Sequence, residues 1–169
     1  VSDDTAWRER WVGRLGTPPA LLILGMAAVT TIDVIGRYIF GRPLGGAFEV
    51  TEIAMGLAIY AGLGLAALGR DHIRVDLAKG WLPPAVRRAQ LVCGNLVCAV
   101  VAAALGWRVL TRGTALVEVG ERFLVLGFPK GWIAWAMGAL ALAAAVAFLQ
   151  QAWRLARGPL EPDFESSSL

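Results

Sequence analysis

Long charge-free apolar runs alternate with short charged segments along this chain. The four runs, Leu15–Ile32, Ile53–Gly69, Ala89–Trp107 and Gly131–Trp153, are 18, 17, 19 and 23 residues long. A bilayer-crossing helix needs about 20 mostly apolar residues. The second run reaches that length when extended back to Phe48, which admits Glu49, Thr51 and Glu52 at one end. The fourth, at about 1.5 Å per residue, would be roughly 34 Å long, against a hydrocarbon core of about 30 Å. A soluble helix rarely stays free of charge for so long, because one face must meet water. The pattern therefore predicts four spans, over about 18–40, 48–69, 85–109 and 130–155.

The segments between the runs give the layout. Over 1–16, Trp7, Trp11 and Leu15 recur at four-residue spacing among Arg8, Arg10 and Arg14. This suits an amphipathic segment on the membrane surface, or a frayed terminus that carries topogenic charge. Pro18 and Pro19 stand where a first span would begin, and the first run is long enough to stay as an anchor. Gly41, Arg42 and Pro43 end that helix, and Gly45 and Gly46 permit a tight reversal. Glu49 and Glu52 then fall in the first turn of the second helix, where acids complement the helix dipole. Residues 69–88 form a basic connection, and 110–130 read as a polar loop whose apolar FLVLGF lies on the membrane or against a partner. The tail from 158 to 169 reads as disordered. The fold class is an all-α integral membrane protein with four transmembrane helices and an N-terminal amphipathic interfacial segment.

Composition agrees, with 57% hydrophobic residues and a mean hydropathy of +0.60. The net charge of +3 does not indicate nucleic acid, because the sixteen Lys and Arg sit at the ends of apolar runs. Ten of them flank the side that holds both termini and six the other, which places the termini in the cytoplasm. Trp7, Trp11, Trp81, Trp107, Trp132, Trp135 and Trp153 lie at or just beyond span ends, where an amphipathic ring anchors among lipid headgroups. Cys93 and Cys98, about 140° apart on a helix, are small apolar fillers rather than a ligand pair.

Few residues carry chemistry. Asp33 and Arg37, four apart, share a helix face and can pair; an intramembrane acid can also serve ion coupling. Glu49 can cap its own helix, reach across the turn to Arg37, or meet a partner protein. His72 is the lone histidine, too few for paired haem ligands, and nothing completes a zinc site. Asn95 is expected to bond to a neighbouring helix. Small residues along the second and third spans allow close helix packing. No nucleophile set, phosphate loop or metal cluster is visible, so the expectation is no enzyme, no cofactor and no metal. What remains is a membrane subunit, or alternatively a self-sufficient small homo-oligomeric transporter or an orphan membrane scaffold.

RYIFGRPLGGAFE, followed about twenty residues later by HIRVD, resembles the small membrane subunit of tripartite ATP-independent periplasmic (TRAP) transporters. The matching positions are Arg37 and Tyr38 at the end of the first helix, Pro43 in the turn, Glu49 opening the second, then His72, Ile73, Val75 and Asp76. The four-helix layout implied covers roughly residues 15–157. The resemblance implies a fixed scaffold in the bacterial inner membrane, paired with a large multi-span permease subunit. Such pairs receive an organic acid from a periplasmic substrate-binding protein and import it, typically on a sodium gradient. Arg37, Pro43, Glu49, His72 and Asp76 would then shape the hairpin and its partner contacts. ERFLVLGFPKGW keeps the Pro and Trp expected before the last helix, but the charged and apolar run ahead of them is less typical.

Overall fold

A computed structural model describes the backbone of residues 3–68 and 84–157, and the side chains of residues 16–67, 86 and 88–157. His72, Asp76, Trp81, the tail after residue 157 and the side chains of Trp7 and Trp11 lie outside the described residues. Four helices make up the fold: α1 (Asp3–Ile39), α2 (Ala47–Leu68), α3 (Pro84–Val119) and α4 (Lys130–Arg157). Each contains a stretch long and apolar enough to cross a membrane. Among the described residues the only strand-like pairing is an isolated bridge between Arg122 and Pro129.

Two boundaries differ from the sequence reading. α1 is one 37-residue helix that runs through Pro18 and Pro19, in place of a surface segment that ends before them. A proline's fixed φ is already helical; what it removes is a hydrogen bond four residues back, and it crowds that carbonyl. α3 continues past residue 109 to Val119, so 110–119 is helix rather than polar loop. Charge at Arg108 and Arg112 ends an apolar run without ending a helix, since both are good helix formers.

The helices form an open row in the order α1, α2, α4, α3. Among the described residues α3 and α4 share the most extensive contact, α2 packs on α4, and α1 packs on α2 alone. In lipid no hydrophobic force draws helices together, so association depends on close backbone approach through small residues. The α3–α4 seam meets that requirement at seven-residue intervals. Gly113 faces Gly131, Gly106 faces Gly138, and Ala99 and Ala145 share one core cluster. A methyl group at Gly138 would come within 2.7 Å of Leu110, and one at Gly106 within 2.9 Å of Leu142. Farther along, Phe148 of α4 is buried among Ala67 of α2 and Ala99 and Ala102 of α3. At that end the Arg88 guanidinium donates to the Leu155 carbonyl at 2.8 Å and to the Ala156 carbonyl, closing the C-terminus of α4. Asn95 does not reach a neighbour. Its side-chain amide donates to the Leu91 carbonyl of its own helix at 2.9 Å, the partner nearest to hand.

Overfilling a packed seam costs about 1–3 kcal/mol. Gly106→Leu and Gly138→Leu are expected to lose that much stability in detergent unfolding titrations. Gly25→Leu, where an added Cβ meets nothing within 4 Å, should be near neutral.

Candidate partner interface at the hairpin end

The α1–α2 turn and the α3–α4 turn lie at the same end of the row. At the first, the amides of Phe40 and Arg42 both donate to the Gly36 carbonyl, at 3.2 and 3.0 Å. Gly41 turns the chain with φ +63°, a value that favours glycine. A side chain at Gly36 would meet the Arg42 carbonyl at 2.8 Å, so the chain can fold back this closely only over a glycine. Asp33 fastens the turn from below. One carboxylate oxygen accepts from Arg37 at 2.7 Å and the other accepts the Leu44 amide, also at 2.7 Å. The Asp33 side chain is 14% exposed and that of Arg37 59%, so the acid is held inward while the guanidinium faces out.

The second turn is ordered by its backbone. α3 ends with the Glu121 amide donating to the Leu116 carbonyl and the Gly120 amide to the Val117 carbonyl, both at 3.0 Å, with Gly120 at φ +71°. This is a Schellman closure, which satisfies carbonyls that the helix end leaves over. The chain then doubles back: the Phe123 amide donates to the Phe128 carbonyl at 2.9 Å, and the Lys130 amide to the Glu121 carbonyl at 3.1 Å. Across the base, the Lys130 ammonium bonds the Glu121 carboxylate at 2.7 Å and lies 5.4 Å from the centre of the buried Phe123 ring. The bond from Lys130 is the main reason the Glu121 carboxyl sits below its ordinary range.

Glu49 joins the two turns. Its carboxylate accepts the Val125 amide at 3.0 Å and the Leu126 amide at 2.9 Å, through different oxygens. Two successive backbone N–H groups thus converge on one anion. Gly45 and Gly46 let the Val125 side chain settle on the first turn; an added Cβ at Gly46 would lie 3.3 Å from it. Glu49 therefore does not reach across to Arg37, which is committed to Asp33 within its own helix. Glu52, one turn further along α2, is exposed, as is Pro43 in the turn. Around this locked centre stand exposed apolar side chains: Leu124 at 95%, with Tyr38, Phe40, Phe48, Val125 and Phe128. The arrangement is a rigid platform with an apolar rim. Among the described residues no group of three or more His, Cys, Asp or Glu could hold a metal.

Residues 26–158 match the family described as "Tripartite ATP-independent periplasmic transporters, DctQ component". The chain belongs to that family. It is also 34% identical over 110 residues to the "Ectoine TRAP transporter small permease protein TeaB" of Halomonas elongata, an alignment that covers 65% of this chain. The chain spans 57% of that relative's length. The DctQ match takes in the whole hairpin end, from Asp33 and Arg37 through Glu49 to the 120–129 turn.

Of the residues singled out in the sequence, the structure brings Asp33 and Arg37 together and places Tyr38, Pro43, Glu49 and Glu52 at this same end. Trp107, Trp132 and Trp153 are well exposed, whereas Trp135 packs over Gly113 and tilts against Trp132, 6.2 Å between ring centres. The amides of Val125 and Leu126 and the Glu121–Lys130 pair were not anticipated. Gly120 and Gly127, both at positive φ, were the available signals of a structured turn.

Glu49→Ala leaves two amides without their acceptor. Amide exchange at Val125 and Leu126 should then become several-fold faster, with α2 still helical; Glu49→Gln, which keeps one acceptor oxygen, should fall between. A second expectation concerns pH. The folded turn holds the Glu121 carboxyl below its ordinary value of 4.5, so the bond to Lys130 contributes fully above that value. It is lost as pH falls through the depressed value. Protection of the Phe123 amide, its exchange taken relative to that of an unstructured chain at the same pH, should fall on that acid side, and Glu121→Gln should flatten the dependence.

Proposed function

We propose that this DctQ-family chain is the fixed scaffold of a tripartite importer, holding a large multi-span permease subunit that receives solute from a periplasmic binding protein. The observation that carries the reading is the open row. Among the described residues α1 touches only α2 and α3 only α4, so apolar helix faces are left for lipid and for a membrane partner. The locked hairpin end supplies a second contact, with the Leu124 rim facing the large subunit or the docked binding protein. The excess of Lys and Arg at the other end supports a periplasmic platform with both termini in the cytoplasm. In this reading the chain orients its partners and performs no catalysis.

Solute choice lies with the partners. A carboxylate-bearing organic solute, imported with sodium, is the class we put forward. Ectoine, from the name of the TeaB relative, is the second candidate. Asp33 does not favour a self-sufficient transporter, since both of its carboxylate oxygens are engaged in holding the turn.

The test is purification of the tagged chain from its native membrane in mild detergent, followed by intact mass spectrometry. A stoichiometric multi-span permease subunit is expected. A chain that emerges alone or as a homo-oligomer, even after crosslinking in the membrane, would sink the reading. A binding protein recovered with the complex, screened by thermal shift against carboxylates and ectoine, would then name the solute.

A further inference from the structure

The outer face of α3 carries two arginines; Arg112 feels the charge of Glu121, but neither is bonded to an acid. Arg108 and Arg112 are exposed, and among the described residues neither side chain makes a hydrogen bond or ion pair. No acid lies three or four positions from either, and like charges four apart repel on a helix. Arg108 points away from α4, and Arg112 stands one turn further along, about 40° round from it. Arg108 follows the seam residue Gly106 by two positions, about 200° around the helix. Below them on the same face, Val97, Val101 and Leu105 are exposed.

Depth identifies what the pair meets. In the antiparallel register set by Gly113 facing Gly131 and Gly106 facing Gly138, Arg112 lies level with Trp132, and Arg108 is one residue deeper than Trp135. Trp153 follows these tryptophans by 18 to 21 residues, roughly 27–32 Å along α4, which is close to the thickness of a hydrocarbon core. The tryptophans thus mark the two headgroup levels, and Trp107, 67% exposed, sits beside Arg108 at one of them. Glu121, the acid of the adjoining turn, is already bonded to Lys130.

We propose that Arg108 and Arg112 bind the phosphate of an anionic phospholipid headgroup, with its acyl chains lying along Val97, Val101 and Leu105. Two guanidinium forks one turn apart match a phosphate's several acceptor oxygens, which a single point charge would not. The exposed apolar ladder beneath them supplies the contact that soluble phosphates lack.

The full chain, reconstituted in nanodiscs of equal phosphatidylglycerol and phosphatidylcholine and released into mild detergent, is examined for retained lipid by native mass spectrometry. Retention of phosphatidylglycerol over phosphatidylcholine is expected, by about thirtyfold for two arginines at the membrane surface. Arg108→Gln with Arg112→Gln should bring the ratio near one. Arg108→Lys with Arg112→Lys should keep part of the preference, and Arg42→Gln, an exposed arginine at the other turn, should keep all of it. Excess glycerol phosphate should fail to displace the lipid. Equal retention by the wild type, or a preference that survives the double glutamine change, overturns the site. So does displacement by glycerol phosphate. A double glutamine variant that keeps its lipid but loses the co-expressed permease subunit would also overturn it, because the pair would then be a protein contact.

Discussion

Close backbone approach between α3 and α4 is the constraint on which the rest of this fold depends. Lipid solvates leucine as well as another leucine does, so helices gain little by merely burying apolar side chains against each other. The chain meets this with Gly106 and Gly113 on one helix set against Gly138 and Gly131 on the other, continued by Ala99 and Ala145. Because the seam fixes the register of the second hairpin, it also sets where the 120–129 turn stands and which face of α3 is left outward. α2 then joins through Gly56, where an added Cβ would collide with Met137, and α1 joins through α2.

At the hairpin end a different kind of interaction takes over. Headgroup-level positions are wet enough to tolerate charge but still apolar enough to make unpaired backbone groups costly. The acids there are used accordingly. Asp33 satisfies the Leu44 amide, Glu49 those of Val125 and Leu126, and Glu121 answers Lys130. Each of the three converts a turn into a fixed shape. The apolar rim around them, led by Leu124, is therefore presented at a defined height and angle.

Much of this was legible in the sequence, for a physical reason. Charge exclusion from hydrocarbon acts residue by residue, so the four spans and the glycine-rich turn between the first two could be read directly. The boundaries that failed are those where composition and conformation part company. Arg108 and Arg112 end an apolar run but suit a helix, and Pro18 and Pro19 suit a helix start but lie within one. Asn95 and Glu49 were recognised as polar groups in need of partners. Their partners are backbone atoms, which every residue carries and no side-chain pattern reveals. Only the positive-φ glycines of the second turn, Gly120 and Gly127, hinted that an ordered acceptor site would form there.

The span of the Glu49 bond has a consequence for assembly. Its carboxylate and its amides are 76 and 77 residues apart in the chain, with α3 between them. During synthesis the first hairpin is complete before the 120–129 turn exists, so Glu49 then lacks the amides that it holds in the fold. The bond forms only when the second hairpin has inserted the right way up and slid into register, so that its turn arrives beside α2. A hairpin inserted upside down would present its turn at the opposite face of the membrane, about 30 Å away. The Glu49 bond is thus available only to correctly threaded halves.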